Sequence, residues 1–162
     1  LNSSRLCVFA SETHMKHSFA IPIRVYYEDT DAGAVVYYAN YLKFMERART
    51  EWLRALGFEQ DELSSRDGVV FAVRSAKVDF LKPARFNDSL LATVEVSQRG
   101  NASITFHQRI QRGELTLCEG EIKVACLNVS TFTPCPLPVR IRERLDALVF
   151  GPQQEPLRLT PV

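Results

Sequence analysis

Apolar and polar residues alternate near the start of the chain. From Ile21 to Asp29, Ile23, Val25 and Tyr27 take one phase and Arg24, Tyr26 and Glu28 the other, a period of two that predicts a half-buried strand. After Asn40 the period changes. Tyr41, Phe44, Met45, Ala48, Trp52, Leu53 and Leu56 recur at steps of three and four, which predicts one long amphipathic helix with Asn40 as its N-cap and Gly57 as its stop. Lys43, Glu46, Arg47, Arg49, Glu51 and Arg54 fill the other face and read as solvated charge, with Arg47–Glu51 and Glu46–Arg49 at supporting spacings.

Residues 58–68 read as a loop with a helical turn around Gln60–Leu63. Val70–Leu81 predicts a strand whose apolar phase moves from Phe71 and Val73 to Ala76, Val78 and Phe80. A slip of one residue would turn that set outward, so a bulge near Arg74–Ser75 is expected before Lys82-Pro83-Ala84-Arg85 ends the strand. Leu90, Ala92, Val94 and Val96, then Ile104, Phe106 and Ile110, flank a turn at Gly100-Asn101 and predict a hairpin, with His107 on its outer face. After Gly113, Leu115–Val129 predicts a further strand with its own phase shift; Pro134, Pro136 and Pro138 then lead into a short helix carrying Ile141, Leu145 and Leu148 on one face. One strand, one long helix and four strands in meander order make an α+β chain, an antiparallel five-stranded sheet curled around a single helix. Such a layer leaves an edge and part of a face open, which predicts self-association.

Composition narrows the class. At 162 residues with 46% hydrophobic and 24% charged residues, the chain suits one globular domain, expected over 15–150, with 1–14 as an extension preceding Met15 and 151–162 as a tail. Twenty basic and 19 acidic residues leave a net charge of +1, which offers no field for nucleic acid or an anionic membrane. Cys7, Cys118, Cys126 and Cys135 form no C-x-x-C pair, and His14, His17 and His107 are scattered. Neither a metal site nor a disulfide framework is expected, and reduced thiols suggest a cytoplasmic protein. No apolar run reaches the roughly 18 residues of a membrane helix.

The chemistry concentrates in Asp29-Thr30-Asp31-Ala32-Gly33-Ala34-Val35-Val36-Tyr37-Tyr38-Ala39-Asn40, where two acids and a glycine turn precede the helix. A helix start presents unpaired N–H groups and partial positive charge, so a carboxylate beside it can work next to an anion site, an arrangement suited to attack on a carbonyl. The same residues also make ordinary turns and caps.

The stretch Glu28–Leu53, together with Val78-Asp79-Phe80-Leu81-Lys82-Pro83-Ala84-Arg85, resembles the hotdog-fold acyl-CoA thioesterases of the 4-hydroxybenzoyl-CoA thioesterase type, most closely the Tol-Pal-associated, YbgC-like branch. The resemblance covers about 18–145. It implies a five-stranded hotdog sheet, dimers or dimers of dimers with sites at the subunit interface, and hydrolysis of an acyl-CoA without a metal or redox cofactor. It also implies that Asp31 is the catalytic carboxylate and that the backbone N–H of Tyr38 helps hold the oxyanion. Tyr37, Asn40 and Val78 are expected around the substrate, and Lys82, Arg85 and Arg99 near the coenzyme A phosphates. That branch usually has Gly at position 34 and His at 38, where this chain has Ala34 and Tyr38. Ala34 is tolerated unless the turn needs positive φ. A non-catalytic acyl-CoA or acyl-carrier-protein binding protein, with acyl carrier protein or lipid-synthesis enzymes as partners, is the alternative, and a hydratase would require a histidine that Tyr38 does not supply.

Overall fold

The structure, a computed structural model, describes residues 19–150. The expected extension and tail, with Met15, Cys7, His14 and His17, lie outside the described residues. Strand β1 is Phe19–Arg24, helix α1 Tyr38–Ala55, α2 the single turn Gln60–Glu62, β2 Val69–Phe80, β3 Ser89–Arg99, β4 Ser103–Arg112, β5 Leu115–Asn128 and α3 Val139–Phe150. The five strands form one antiparallel sheet in the order β1-β3-β4-β5-β2.

That order corrects the expected meander. Only β3, β4 and β5 follow one another; β2 pairs with β5, and β1 takes the place beside β3. Alternation tells which face a residue occupies but not which strand lies alongside. Pro83 breaks the chain after β2, and the eight residues 81–88 cross one end of the sheet. They can span roughly 26 Å, ample for three strand spacings of about 4.8 Å.

The phase changes have the anticipated cause. The register of β2 on β5 shifts between Val73 and Ser75. On β5, Ile110 faces Cys118 while Gln111 faces Thr116, which leaves Leu117 as an extra residue and fully buried. The first strand is shorter than its pattern predicts. β1 stops at Arg24, and Tyr27–Asp29 form a 3-10 turn, because Asp29 draws the chain back: its backbone N–H donates to Tyr26 O at 3.1 Å and its Oδ2 accepts from Tyr26 N–H at 2.8 Å. Tyr27, expected inward, is therefore 75% exposed.

Helix α1 buries Phe44, Met45, Ala48 and Trp52 against the sheet, with Trp52 edge-on to Phe106 at 5.1 Å. Each large side chain so buried contributes about 1.5–3 kcal/mol. Gly120 makes room for this contact: a Cβ there would sit 3.3 Å from Val78 and 3.4 Å from Met45 Cε. Gly57, at φ 91, ends the helix as expected.

The solvated reading fails for Arg49. Its Nη1 donates at 2.7 Å to Oε1 of the fully buried Gln108, whose Nε2 donates to Met45 O at 3.0 Å and Thr93 O at 3.2 Å. Burial lowers the Arg49 pKa, against the opposing pull of Glu46. Arg54, not Arg47, takes Glu51, and it also binds Glu59 at 2.8 Å. Pro138 O receives Ile141 and Arg142 N–H at the start of α3, which buries Ile141 and Leu145. No helix among the described residues is long and apolar enough to cross a membrane.

Candidate active site

The segment between the 3-10 turn and α1 is a closed loop. Thr30 bridges to Val36, Asp31 N–H donates to Val35 O at 3.0 Å, and Ala34 N–H returns to Asp31 O at 2.9 Å. The carboxylate of Asp31 is exposed at the tip, where Oδ1 accepts the Gly33 N–H at 2.8 Å. An Asp at such a turn bonds its own backbone two residues on, which orients the side chain without burying it. Ala34 sits at φ 57, so the turn does require the left-handed conformation that glycine adopts freely and alanine does not.

Asn40 is not the cap. Helix α1 begins at Tyr38 with Tyr37 as N-cap and no side-chain cap bond. Asn40, in the first turn and 6% exposed, instead donates Nδ2–H to Asp29 O at 2.8 Å, the carbonyl that also accepts Tyr37 N–H at 2.9 Å. Asp29 thus clamps three segments: its carboxylate holds Tyr26, and its carbonyl holds Tyr37 and Asn40. The first-turn N–H groups of α1, Tyr38 foremost, have no acceptor four residues back within the helix.

Residues 81–88 support the loop from below. Ala84 O accepts Val36 N–H at 2.8 Å, and Ala84 N–H donates to the buried Tyr41 Oη at 2.9 Å. Burial raises the Tyr41 pKa, opposed by that same N–H bond. Lys82 and Arg85 lie on this crossing and are exposed. Asp88 ends it; burial pushes its carboxyl up, but the Arg85 N–H and Arg112 guanidinium outweigh burial and hold it below the usual range.

Tyr37 and Tyr38 flank the loop on the helix side, with ring centroids 4.7 Å apart. The Tyr37 hydroxyl is pushed up, first by the Tyr38 side chain and also by the charge of Asp31, which is near enough to act on it. Phe80, at the end of β2, meets Tyr38 edge-on at 6.1 Å and Tyr41 at 5.7 Å. Its alternation reads as core, yet at the end of β2 it is half exposed next to Tyr38. Val78 lies farther in, half buried opposite Gly120.

One expected residue lies apart from the acid loop within this chain. Arg99 ends β3 at the far end of the strand from Ser89 and pairs with Asp146 of α3. Within one chain it stands roughly 30 Å along the strand from the acid loop. His107 stands half buried in the row Glu95-His107-Glu121, away from the loop. Among the described residues no cluster of His, Cys, Asp and Glu could hold a metal.

Residues 33–119 match the thioesterase superfamily. The chain is 42% identical over 128 residues to the acyl-CoA thioesterase YbgC of Haemophilus influenzae, covering 79% of this chain and 94% of that protein. It is 45% identical over 124 residues to the acyl-CoA thioester hydrolase YbgC of Escherichia coli O6:H1, covering 76% and 92%. Among solved structures, a probable thioesterase from Bartonella henselae superposes with a TM-score of 0.72 at 35% identity, over 75% of this chain and 99% of that one. A hotdog sheet around one helix, an acid loop at the helix start and these likenesses agree: the chain belongs to the thioesterase superfamily.

Proposed function

We propose that this protein hydrolyses an acyl-coenzyme A thioester to the free acid and coenzyme A, with Asp31 as the working carboxylate. The observation that carries this reading is the exposed Asp31 carboxylate, oriented by Gly33 N–H at 2.8 Å and set beside the uncapped start of α1. A thioester carbonyl lacks amide resonance, so one ionised carboxylate, acting on the carbonyl carbon or on a water, suffices for attack. The Tyr38 N–H, at the positive end of the helix, receives the oxyanion. Collapse of that intermediate expels the thiolate of coenzyme A, giving the free acid directly where water attacked, or an acyl–Asp31 anhydride that a water then hydrolyses to the free acid where Asp31 attacked. Tyr37, Tyr38 and Phe80 line the acyl side, and Lys82 and Arg85 offer cations to the phosphates.

The protein acts as a homodimer or dimer of dimers. Strand β2 is an edge, and its Val73 and Phe80 are each about half exposed, so a second copy would cover both. Cys118, Cys126 and Cys135 are free thiols, which suits a reducing compartment such as the cytoplasm.

The decisive experiment is thiol release over a panel of short, long and aromatic acyl-CoAs with wild type and Asp31→Asn. The variant keeps the shape and removes the base, and its turnover should fall at least about 100-fold. Near-normal turnover in a folded variant rejects the assignment; binding of acyl-CoA without thiol release in the wild type selects the non-catalytic alternative.

A further inference from the structure

Two rings stack on the surface beside the acid loop without serving the core. Tyr27 and Phe86 lie 3.8 Å apart at an interplanar angle of 10°, with Tyr27 75% and Phe86 44% exposed. Tyr27 belongs to the 3-10 turn that Asp29 closes, and Phe86 to the crossing 81–88, so the stack joins the two segments that hold the site. Rings that only staple two loops together bury their faces; here the outer side of Tyr27 remains open.

The segments that bear the stack also carry cations. Arg24 is held beside it by donating Nη1–H to Asn87 O at 2.8 Å, and Lys82 and Arg85 stand on the same crossing. Of the nearby acids, Asp88 is occupied by the Arg112 guanidinium and the Arg85 N–H, and Glu28 is exposed next to Tyr27. An open aromatic face whose own two segments also carry guanidinium and ammonium groups matches a purine ring joined to phosphates. Tyr27 is four residues from Asp31, at most roughly 14 Å along the chain, a separation that a pantetheine arm can bridge.

We propose that the Tyr27–Phe86 stack is the seat of the adenine ring of coenzyme A. This rests on the thioesterase reading above and adds a substrate preference to it. A thioester on acyl carrier protein has the same pantetheine arm but no adenine nucleotide, so the stack favours coenzyme A thioesters over carrier-protein thioesters. It also predicts that the nucleotide fragment binds alone.

The test compares one acyl group carried on coenzyme A, on pantetheine and on acyl carrier protein, with wild type, Phe86→Ala, Tyr27→Leu and Tyr27→Phe. Loss of stacking should raise KM for the coenzyme A thioester at least about fivefold while leaving kcat and pantetheine-thioester hydrolysis unchanged, and Tyr27→Phe should behave as wild type. Pantetheine-thioester turnover reports whether each variant is folded and the acid loop intact. Adenosine 3′,5′-bisphosphate should inhibit the wild type and lose at least fivefold in potency against Phe86→Ala. Equal effects on all three substrates, no effect on any, or a changed oligomeric state with the coenzyme A preference retained would overturn the proposal. If the wild type hydrolyses no thioester, the catalytic reading fails instead, and calorimetry with adenosine 3′,5′-bisphosphate still decides the stack: binding by the wild type that weakens in Phe86→Ala supports it, and no binding overturns it.

Discussion

Gly33 donates its backbone N–H to Oδ1 of Asp31 at 2.8 Å, and a Cβ on Gly33 would stand 3.0 Å from that same oxygen. The bond that aims the carboxylate therefore leaves only a tight fit for a side chain on its donor. Gly33→Ala must push the Asp31 carboxylate aside. A misplacement of about 1 Å costs about 100-fold in rate, and the few tenths of an ångström needed here cost less. We expect kcat to fall by up to about 10-fold in Gly33→Ala with little change in the thermal midpoint, measured by thiol release and calorimetry on one preparation.

Ala34, next in the chain, holds φ at 57. An L-residue in that region costs about 1–2 kcal/mol, part of which glycine forfeits through its freer unfolded chain. Ala34→Gly should stabilise the protein by roughly 0.5–1 kcal/mol in urea denaturation, with turnover unchanged. A destabilised variant would show that the loop tolerates alanine without strain.

Asn40 and Asp29 tie the helix start to the acid loop through one carbonyl that accepts two donors. Asn40→Ala leaves the buried carbonyl with Tyr37 N–H alone, a loss of about 1–2 kcal/mol. Because Tyr38 and Asp31 lie on opposite sides of this clamp, kcat should fall more than KM rises. Parallel urea denaturation and steady-state kinetics check both effects; a stability loss with unchanged kcat would confine Asn40 to the fold.

Asp88 carries the pH prediction. Its folded pKa lies below the ordinary value of 3.8, so its contribution to stability is present above that value and disappears as pH falls through the folded pKa. Denaturation midpoints should drop below about pH 4, and the drop should be smaller in Asp88→Asn, which gives up this contribution at every pH. The Arg112 partner is itself partly exposed, so the effect is modest.

Much of this protein is legible along the chain. Local spacing determines the α1 stripe from Tyr41 to Leu56, the Gly57 stop, the bulge between Val73 and Ser75 and the extra residue on β5, because each depends on near neighbours in sequence. The same holds for the acid loop, where Asp31 and Gly33 sit two residues apart and bond directly. What the chain order leaves open is which distant segments meet. The residues 81–88 span from β2 at one edge of the sheet to β3, and that crossing brings Ala84 to Val36 and Phe86 onto Tyr27, while the pairing of β2 with β5 sets Phe80 against Tyr38. The length of β3 sets Arg99 apart from the acid loop within this chain, since opposite ends of an eleven-residue strand look alike in sequence. Asn40 reads as a cap and Arg49 as a surface charge for the same reason: their partners, Asp29 O and Gln108, are 11 and 59 residues away. A polar side chain is placed by the group it can bond in three dimensions, and only the tertiary structure decides which group that is.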